Sequence, residues 1–233
     1  MKKSQNRITV FQMICTALYI LLFPVLMLGL SGDWLWPEGW IWCVWYTALC
    51  FVSIVYLYRK DPALLAERYK KPGTGNQKGW DRYVVMALVI TFLGWVVLMP
   101  LDAKRYGWSM PFPLWLKVLG GVGLLNCSFF MYRSYTDNSF LSPLVRIQKE
   151  RKQKVVSTGV YGFVRHPMYL GAISLFLGSP LLLGSRLGWL LGVGMSLLLA
   201  GRIIGEEKML SKELKGYKAY TQKVRYRLIP GLW

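Results

Sequence analysis

Four nearly uncharged apolar runs, at 10–30, 39–58, 83–101 and 114–132, and a fifth apolar region, 167–204, almost twice their length, dominate this chain. About 20 apolar residues cross the hydrocarbon core of a bilayer as one helix. The fifth region is interrupted at Gly184, Ser185, Arg186 and Gly188, which fits a hairpin of two helices. The expected fold is all-α: a polytopic integral membrane protein with about six transmembrane helices and a C-terminal helical hairpin. Only 17% of the residues are charged, against roughly a quarter in soluble domains. A soluble enzyme and a disordered chain are both excluded.

The formal net charge is nevertheless +18. Six crossings would put both termini on one side and make alternate loops basic. All of the 29 Lys and Arg obey this except Lys104, Arg105, Lys117 and Arg186; the rest fall with Lys2, Lys3 and Arg7, within 59–82, within 133–165, or from Arg202 onward. The bias places both termini in the cytoplasm, with a bacterial inner membrane as the expected location. The charge is topological, with added attraction to anionic membrane lipid, and no nucleic-acid partner is expected because the basic loops carry no recognised binding signature. Cys15, Cys43, Cys50 and Cys127 lie inside apolar runs without a C-x-x-C pair, so they read as small hydrophobes and no metal is expected. The first run reads as a retained anchor, since no small-x-small site follows it, and no lipidation cysteine ends the chain.

No repeat or Ser/Gly linker divides the chain, so 1–233 reads as a single membrane domain, with a four-helix part over 1–136 and a part bearing the chemistry over 137–233. Asp61 is a good helix cap and Pro62 a good first helical residue, predicting a short surface helix that 71–75 terminates. From Glu206 onward, Leu210, Leu214, Tyr217 and Val224 predict a helix lying on the membrane surface.

His166, the one histidine, precedes Pro167. Proline suits the first turn of a helix, which puts His166 at the mouth of the fifth span beside free backbone N–H groups. Arg202 and Glu206 are spaced as an i,i+4 ion pair, yet Arg202 lies inside an apolar run, where a charge must pair, snorkel or face a polar cavity. A hairpin returns to the side it left. Tyr161, His166, Tyr169, Arg202 and Glu206 should therefore converge at the cytosolic rim.

The ordered set Gly159-x-Tyr161-x-x-x-Arg165-His166-Pro167-x-Tyr169, Arg202-x-x-x-Glu206-Glu207-x-x-Leu210, Tyr217-x-x-Tyr220 and Ile229-Pro230 resembles the isoprenylcysteine carboxyl methyltransferase family, related to membrane phospholipid methyltransferases. Bacterial members look similar also at 61–68, at 79–82 and at 138–156. The resemblance implies methyl transfer from S-adenosyl-L-methionine, held in a cytosol-facing pocket, to a lipid-like or prenylated acceptor that arrives from the bilayer. It assigns cofactor binding to Gln153, Lys154, Val155, Val156, Tyr161, His166, Pro167, Met168, Tyr169 and Glu206, and substrate binding to Arg202. Acceptors of two kinds remain open, a carboxylate that Arg202 would orient bidentately and a lipid amine whose proton Glu207 or a tyrosine would remove. Aligning the reactants and excluding water is the main task of such a protein.

Two other readings stand beside this one. Membrane sterol reductases, which use NADPH, resemble the same Arg-His-Pro-x-Tyr segment, and a non-enzymatic membrane protein could keep the architecture. The Glu206-Glu207 pair, and the lack of an acidic residue directly after Gly171, favour methyl transfer. The sequence gives no sign of the oligomeric state.

Overall fold

The structure, a computed structural model, describes residues 10–233; Lys2, Lys3 and Arg7, counted above on the basic side, lie outside the described residues. Eight helices follow in order: α1 (Val10–Ser31), α2 (Pro37–Lys60), α3 (Pro62–Arg68), α4 (Gly79–Pro100), α5 (Leu114–Asp137), α6 (Pro167–Leu183), α7 (Arg186–Glu213) and α8 (Tyr217–Lys223). No strand occurs among the described residues. The protein is an all-α, multi-pass membrane protein, and α1, α2, α4, α5 and α7 are each long and apolar enough to cross a bilayer.

Of the about six membrane helices expected, five are long enough to cross and α6 is shorter. The 17 residues of α6 reach about 25 Å at about 1.5 Å per residue, short of the roughly 30 Å hydrocarbon core. The hairpin itself is present. Gly184 takes the left-handed conformation (φ 83°) that ends α6, and Ser185 caps α7 by accepting from the Gly188 N–H at 2.9 Å. Arg186 and Gly188, which looked like interruptions, belong to the first turn of α7. Its 28 residues make a rod of about 42 Å, so one end projects beyond the bilayer.

That projection corrects one expectation. Glu206 does not open a separate surface helix, because α7 continues unbroken to Glu213, and the chain breaks only at an extended Leu214 and at Gly216 (φ 88°) before the short α8. Leu210, Tyr217 and Val224 pack on Val145, Ile147, Met209 and Tyr220, so their apolar face is covered by protein rather than lipid. The predicted cap of α3 is found as expected, with Asp61 Oδ1 accepting from Leu64 N at 2.9 Å.

Glycines bring α5 and α6 into close contact. A Cβ on Gly120 would lie 2.3 Å from Leu182 N, and one on Gly178 would lie 2.9 Å from Gly120 O. Small residues substitute here for a hydrophobic driving force that lipid cannot provide. Phe23, Trp42, Trp95, Met99 and Met195 fill the bundle centre, and the buried indoles are satisfied by Ser179 Oγ and by Gly188 O, both at 2.9 Å. Leu18, Val44, Ile90, Leu125 and Leu197 point outward, each more than half exposed, as lipid-facing side chains should.

Candidate functional site

A cavity of about 310 Å³ lies among the segment 138–166, the start of α6 and the projecting part of α7, at the lower end of the roughly 300–1,000 Å³ of small-molecule sites. Nine of the ten residues assigned to the cofactor line it: Gln153, Lys154, Val155, Val156, Tyr161, His166, Met168, Tyr169 and Glu206. Arg202 lines it too. Pro167 does not; it supplies the first residue of α6, after a non-helical His166 (φ −129°, ψ 59°), and so turns the chain into the helix.

Tyr169 Oη donates to Glu206 Oε2 at 2.7 Å, which closes α6 onto α7 as the hairpin argument required. The expected Arg202–Glu206 pair is not made. Arg202 Nε instead donates to Asp81 Oδ1 at 2.7 Å and Nη2 to Asp81 Oδ2 at 3.3 Å, while Nη2 also reaches Pro143 O at 2.7 Å. Asp81, in the first turn of α4, is fully buried and accepts also from Gln77 and from Val145 N. A two-point bond to a desolvated carboxylate outcompetes a single contact along one helix. The guanidinium then rests 5.7 Å from the centroid of the Tyr169 ring.

Glu207 faces away from the cavity and is surrounded by donors: Arg165 Nε at 2.6 Å, His166 Nε2 at 3.0 Å and Arg227 Nε at 2.8 Å. With Nε2 committed, His166 has Nδ1 left for a ligand. The C-terminal segment straps this cluster from outside, because Arg165 N and His166 N donate to Tyr226 O and Arg227 O at 3.0 and 2.9 Å. Nothing in the spacing of the motifs foretold that strap.

Tyr161 is placed by the turn Gly159–Gly162. Gly159 has φ 59°, and a Cβ there would come within 2.0 Å of Asp137 Oδ2; that carboxylate accepts from Val160 N at 2.9 Å. Tyr220 Oη fixes the turn further by donating to Tyr161 O at 2.7 Å. The Tyr161 hydroxyl itself is buried without a hydrogen-bond partner among the described residues. Burial pushes its phenol above the ordinary range, against smaller lowering effects of Asn138 and Ser134 beside it, so it stays neutral.

Sequence reasoning missed the clasp beneath the site. Glu67 accepts from Arg146 Nε and Nη2 at 2.9 and 2.8 Å and from Ser142 Oγ at 2.8 Å. Burial opposes the Glu67 charge, but the bonds from Arg146, Lys70 and Ser142 outweigh it and hold its carboxyl below the ordinary range. Asp81, Glu67 and Arg68 all sit in the segments 61–68 and 79–82 noted for their resemblance, which was the available signal.

Comparison with known proteins agrees with this arrangement. The phospholipid methyltransferase family model matches residues 117–216. Protein-S-isoprenylcysteine O-methyltransferase B of Arabidopsis thaliana is 28% identical over 149 residues, covering 62% of this chain and 72% of that protein. A probable 7-dehydrocholesterol reductase of Acanthamoeba polyphaga mimivirus is 28% identical over 151 residues, but the match covers 33% of it and 60% of this chain. The solved eukaryotic intramembrane Ras methyltransferase ICMT shares the fold at a TM-score of 0.52 and 22% identity, over 93% of this chain and 75% of that one. The relatives, the fold and the ordered motifs agree on a membrane methyltransferase, similar to the isoprenylcysteine carboxyl methyltransferases and matching the phospholipid methyltransferase family over 117–216.

Proposed function

We propose that this enzyme moves a methyl group from S-adenosylmethionine to a hydrophobic or lipid-attached acceptor, with the polar cavity as the cofactor site. When bound, the cofactor supplies a methyl group already activated by a positive sulfur. The residues present fit such a ligand: an orphaned Tyr161 hydroxyl as donor, Glu206 as an anionic acceptor, His166 Nδ1, and the aromatic walls of Tyr169, Tyr217 and Tyr220, whose faces attract cations. The observation that carries the reading is the meeting of Tyr161, His166, Tyr169 and Glu206 around one polar cavity, closed by the Tyr169–Glu206 bond.

Two of the expected roles change in this proposal. Arg202 has its Nε–Nη2 edge taken by Asp81, so it acts as a positioning residue that supports the Tyr169 ring. Glu207, bonded by the guanidiniums of Arg165 and Arg227 and by the His166 imidazole outside the cavity, is no general base; it orients His166. The chain's own work is then alignment and exclusion of water, which lowers a displacement barrier by several kcal/mol. We place the cavity on the cytoplasmic side of a bacterial inner membrane, following the basic loops around it. The exceptions Lys104 and Lys117 pair with Asp33 and Glu38 at the other end of the bundle.

The test is incubation of membranes with methyl-labelled S-adenosylmethionine, then separation of lipid, protein and small-molecule fractions. Label should enter one fraction, and Glu206→Ala should abolish it. Tyr161→Phe should weaken S-adenosylhomocysteine binding about threefold to tenfold, the worth of one hydrogen bond, without lowering the stability of the ligand-free protein. Folded protein that binds no S-adenosylhomocysteine would overturn the reading, and heat protection by NADPH alone would replace it with the reductase.

A further inference from the structure

A second cavity, of about 530 Å³, opens between α1, α2 and α5 and is walled mainly by apolar side chains such as Ile20, Leu49, Ile54 and Leu175. It shares two residues with the polar cavity, Arg68 and Met131. The two spaces therefore meet at the last residue of α3.

Arg68 differs from every other arginine of the polar cavity. Arg146 is bonded to Glu67 and Glu150, Arg165 to Glu207, and Arg202 to Asp81. The half-buried Arg68 has only the Met168 sulfur at 3.9 Å and the face of Tyr135 at 5.8 Å; among the described residues it has no carboxylate partner. A guanidinium is held there between a polar and an apolar space with its charge uncompensated. Such a group is costly unless an anion joins it, and its planar fork matches an oxyanion.

We propose that Arg68, rather than Arg202, anchors the acceptor, by gripping an oxyanion at the head of a molecule whose apolar chain lies in the second cavity. This rests on the methyltransferase reading and adds to it the residue that selects the acceptor. Two oxyanions meet the description: a carboxylate that is itself methylated, and a phosphate carried beside a methylated amine. The methionine end of the cofactor also bears a carboxylate, but it has no apolar chain to fill the groove that Arg68 borders.

The test measures binding to the purified protein in maltoside detergent. The probes are S-farnesyl-N-acetylcysteine with its methyl ester, and a short-chain phosphatidylethanolamine with the matching diacylglycerol. Wild type should bind one oxyanion probe at least tenfold more tightly than its uncharged counterpart, and which pair shows the preference identifies the source. Arg68→Gln should erase the preference and Arg68→Lys should retain part of it, with S-adenosylhomocysteine affinity within twofold of wild type in both. The proposal is overturned if wild type prefers neither oxyanion or if the preference survives Arg68→Gln. A parallel loss of S-adenosylhomocysteine affinity in the variants would assign Arg68 to the cofactor instead. Should Arg68→Gln fail to fold, an undiminished preference in Arg68→Lys together with weakened S-adenosylhomocysteine binding overturns it equally. Wild type that is folded yet binds no S-adenosylhomocysteine refutes the underlying reading, a different outcome from any of these.

Discussion

Replacing Asp81 by Asn should destabilise the protein far more than the loss of one hydrogen bond would suggest. The side chains of Arg202 and Asp81 are 9% and 0% exposed, so solvent screens the pair little. Removing one partner of such a pair leaves the other charge desolvated, at a cost of about 3–5 kcal/mol. That corresponds to a change of about two to three and a half decades in the folded-to-unfolded ratio, at about 1.4 kcal/mol per decade. A second replacement, Arg202→Met, removes the stranded charge and keeps most of the volume. The double variant should therefore recover at least half of what Asp81→Asn loses, since replacing a buried ion pair by apolar groups is often close to neutral. Thermal denaturation of the two single variants and the double variant in the same detergent measures the coupling. Additive losses would refute the claim that Asp81 exists to neutralise Arg202.

Gly192→Ala should cost about 1–3 kcal/mol by overpacking, because the added Cβ would lie 2.2 Å from Phe176 O; Gly194→Ala, with nothing within 4 Å, serves as the control and should not destabilise in the same thermal assay. Acid should loosen the Glu67–Arg146–Glu150 clasp: the hydrogen bond from Arg146 is the main cause holding Glu150 at about 2 instead of 4.5, and Glu67 is also held low. Carboxyls depressed in the folded state stabilise it above their unfolded pKa and lose that contribution as pH falls through the folded value. Hydrogen-exchange protection over 142–150, taken relative to the intrinsic rate at each pH, should therefore fall between about pH 4.5 and 2, and unchanged protection at pH 3 would refute this. The fragment 137–233 expressed alone should be degraded in membranes, since it lacks Asp81 for Arg202, Glu67 for Arg146 and Gly120 for Gly178; a protease-resistant fragment would show the two parts to be separable.

The spans were legible because run length is a direct physical requirement of the bilayer, and the convergence of Tyr161, His166, Tyr169 and Glu206 followed from hairpin topology alone. What escaped was pairing across distance. Asp81 stands 121 residues from Arg202, beside a polar loop, where a carboxylate looks like an ordinary solvated helix-start residue. The tail misled for a related reason: the spacing of Leu210, Leu214 and Tyr217 announces an apolar face but not its cover, which here is Val145 and Ile147. The closeness of α5 to α6 was equally hidden, since glycines in an apolar run read as neutral until a neighbouring backbone is known to press on them.

Locking three of the four arginines of the polar cavity has a consequence for the proposed chemistry. Arg146, Arg165, Arg202 and Arg227 are each held by a carboxylate of the protein, so their fields partly cancel before any ligand arrives. The cavity charges left to respond to ligands are Glu206, whose Oε2 accepts from Tyr169, the exposed Lys154 and the half-buried Arg68. A displacement at a positive sulfur discharges that cation as the new bond forms, so a strong fixed anion beside it would stabilise the reactants more than the transition state. Only interactions that strengthen towards the transition state raise the rate of the chemical step. One carboxylate already shared with a phenol, one solvent-screened ammonium and one guanidinium set at the edge of the cavity give binding and orientation with little of that penalty. On this view the internal ion pairs do more than hold the loops together: they keep the interior of the site nearly neutral while its wall is assembled from some of the most basic segments of the chain.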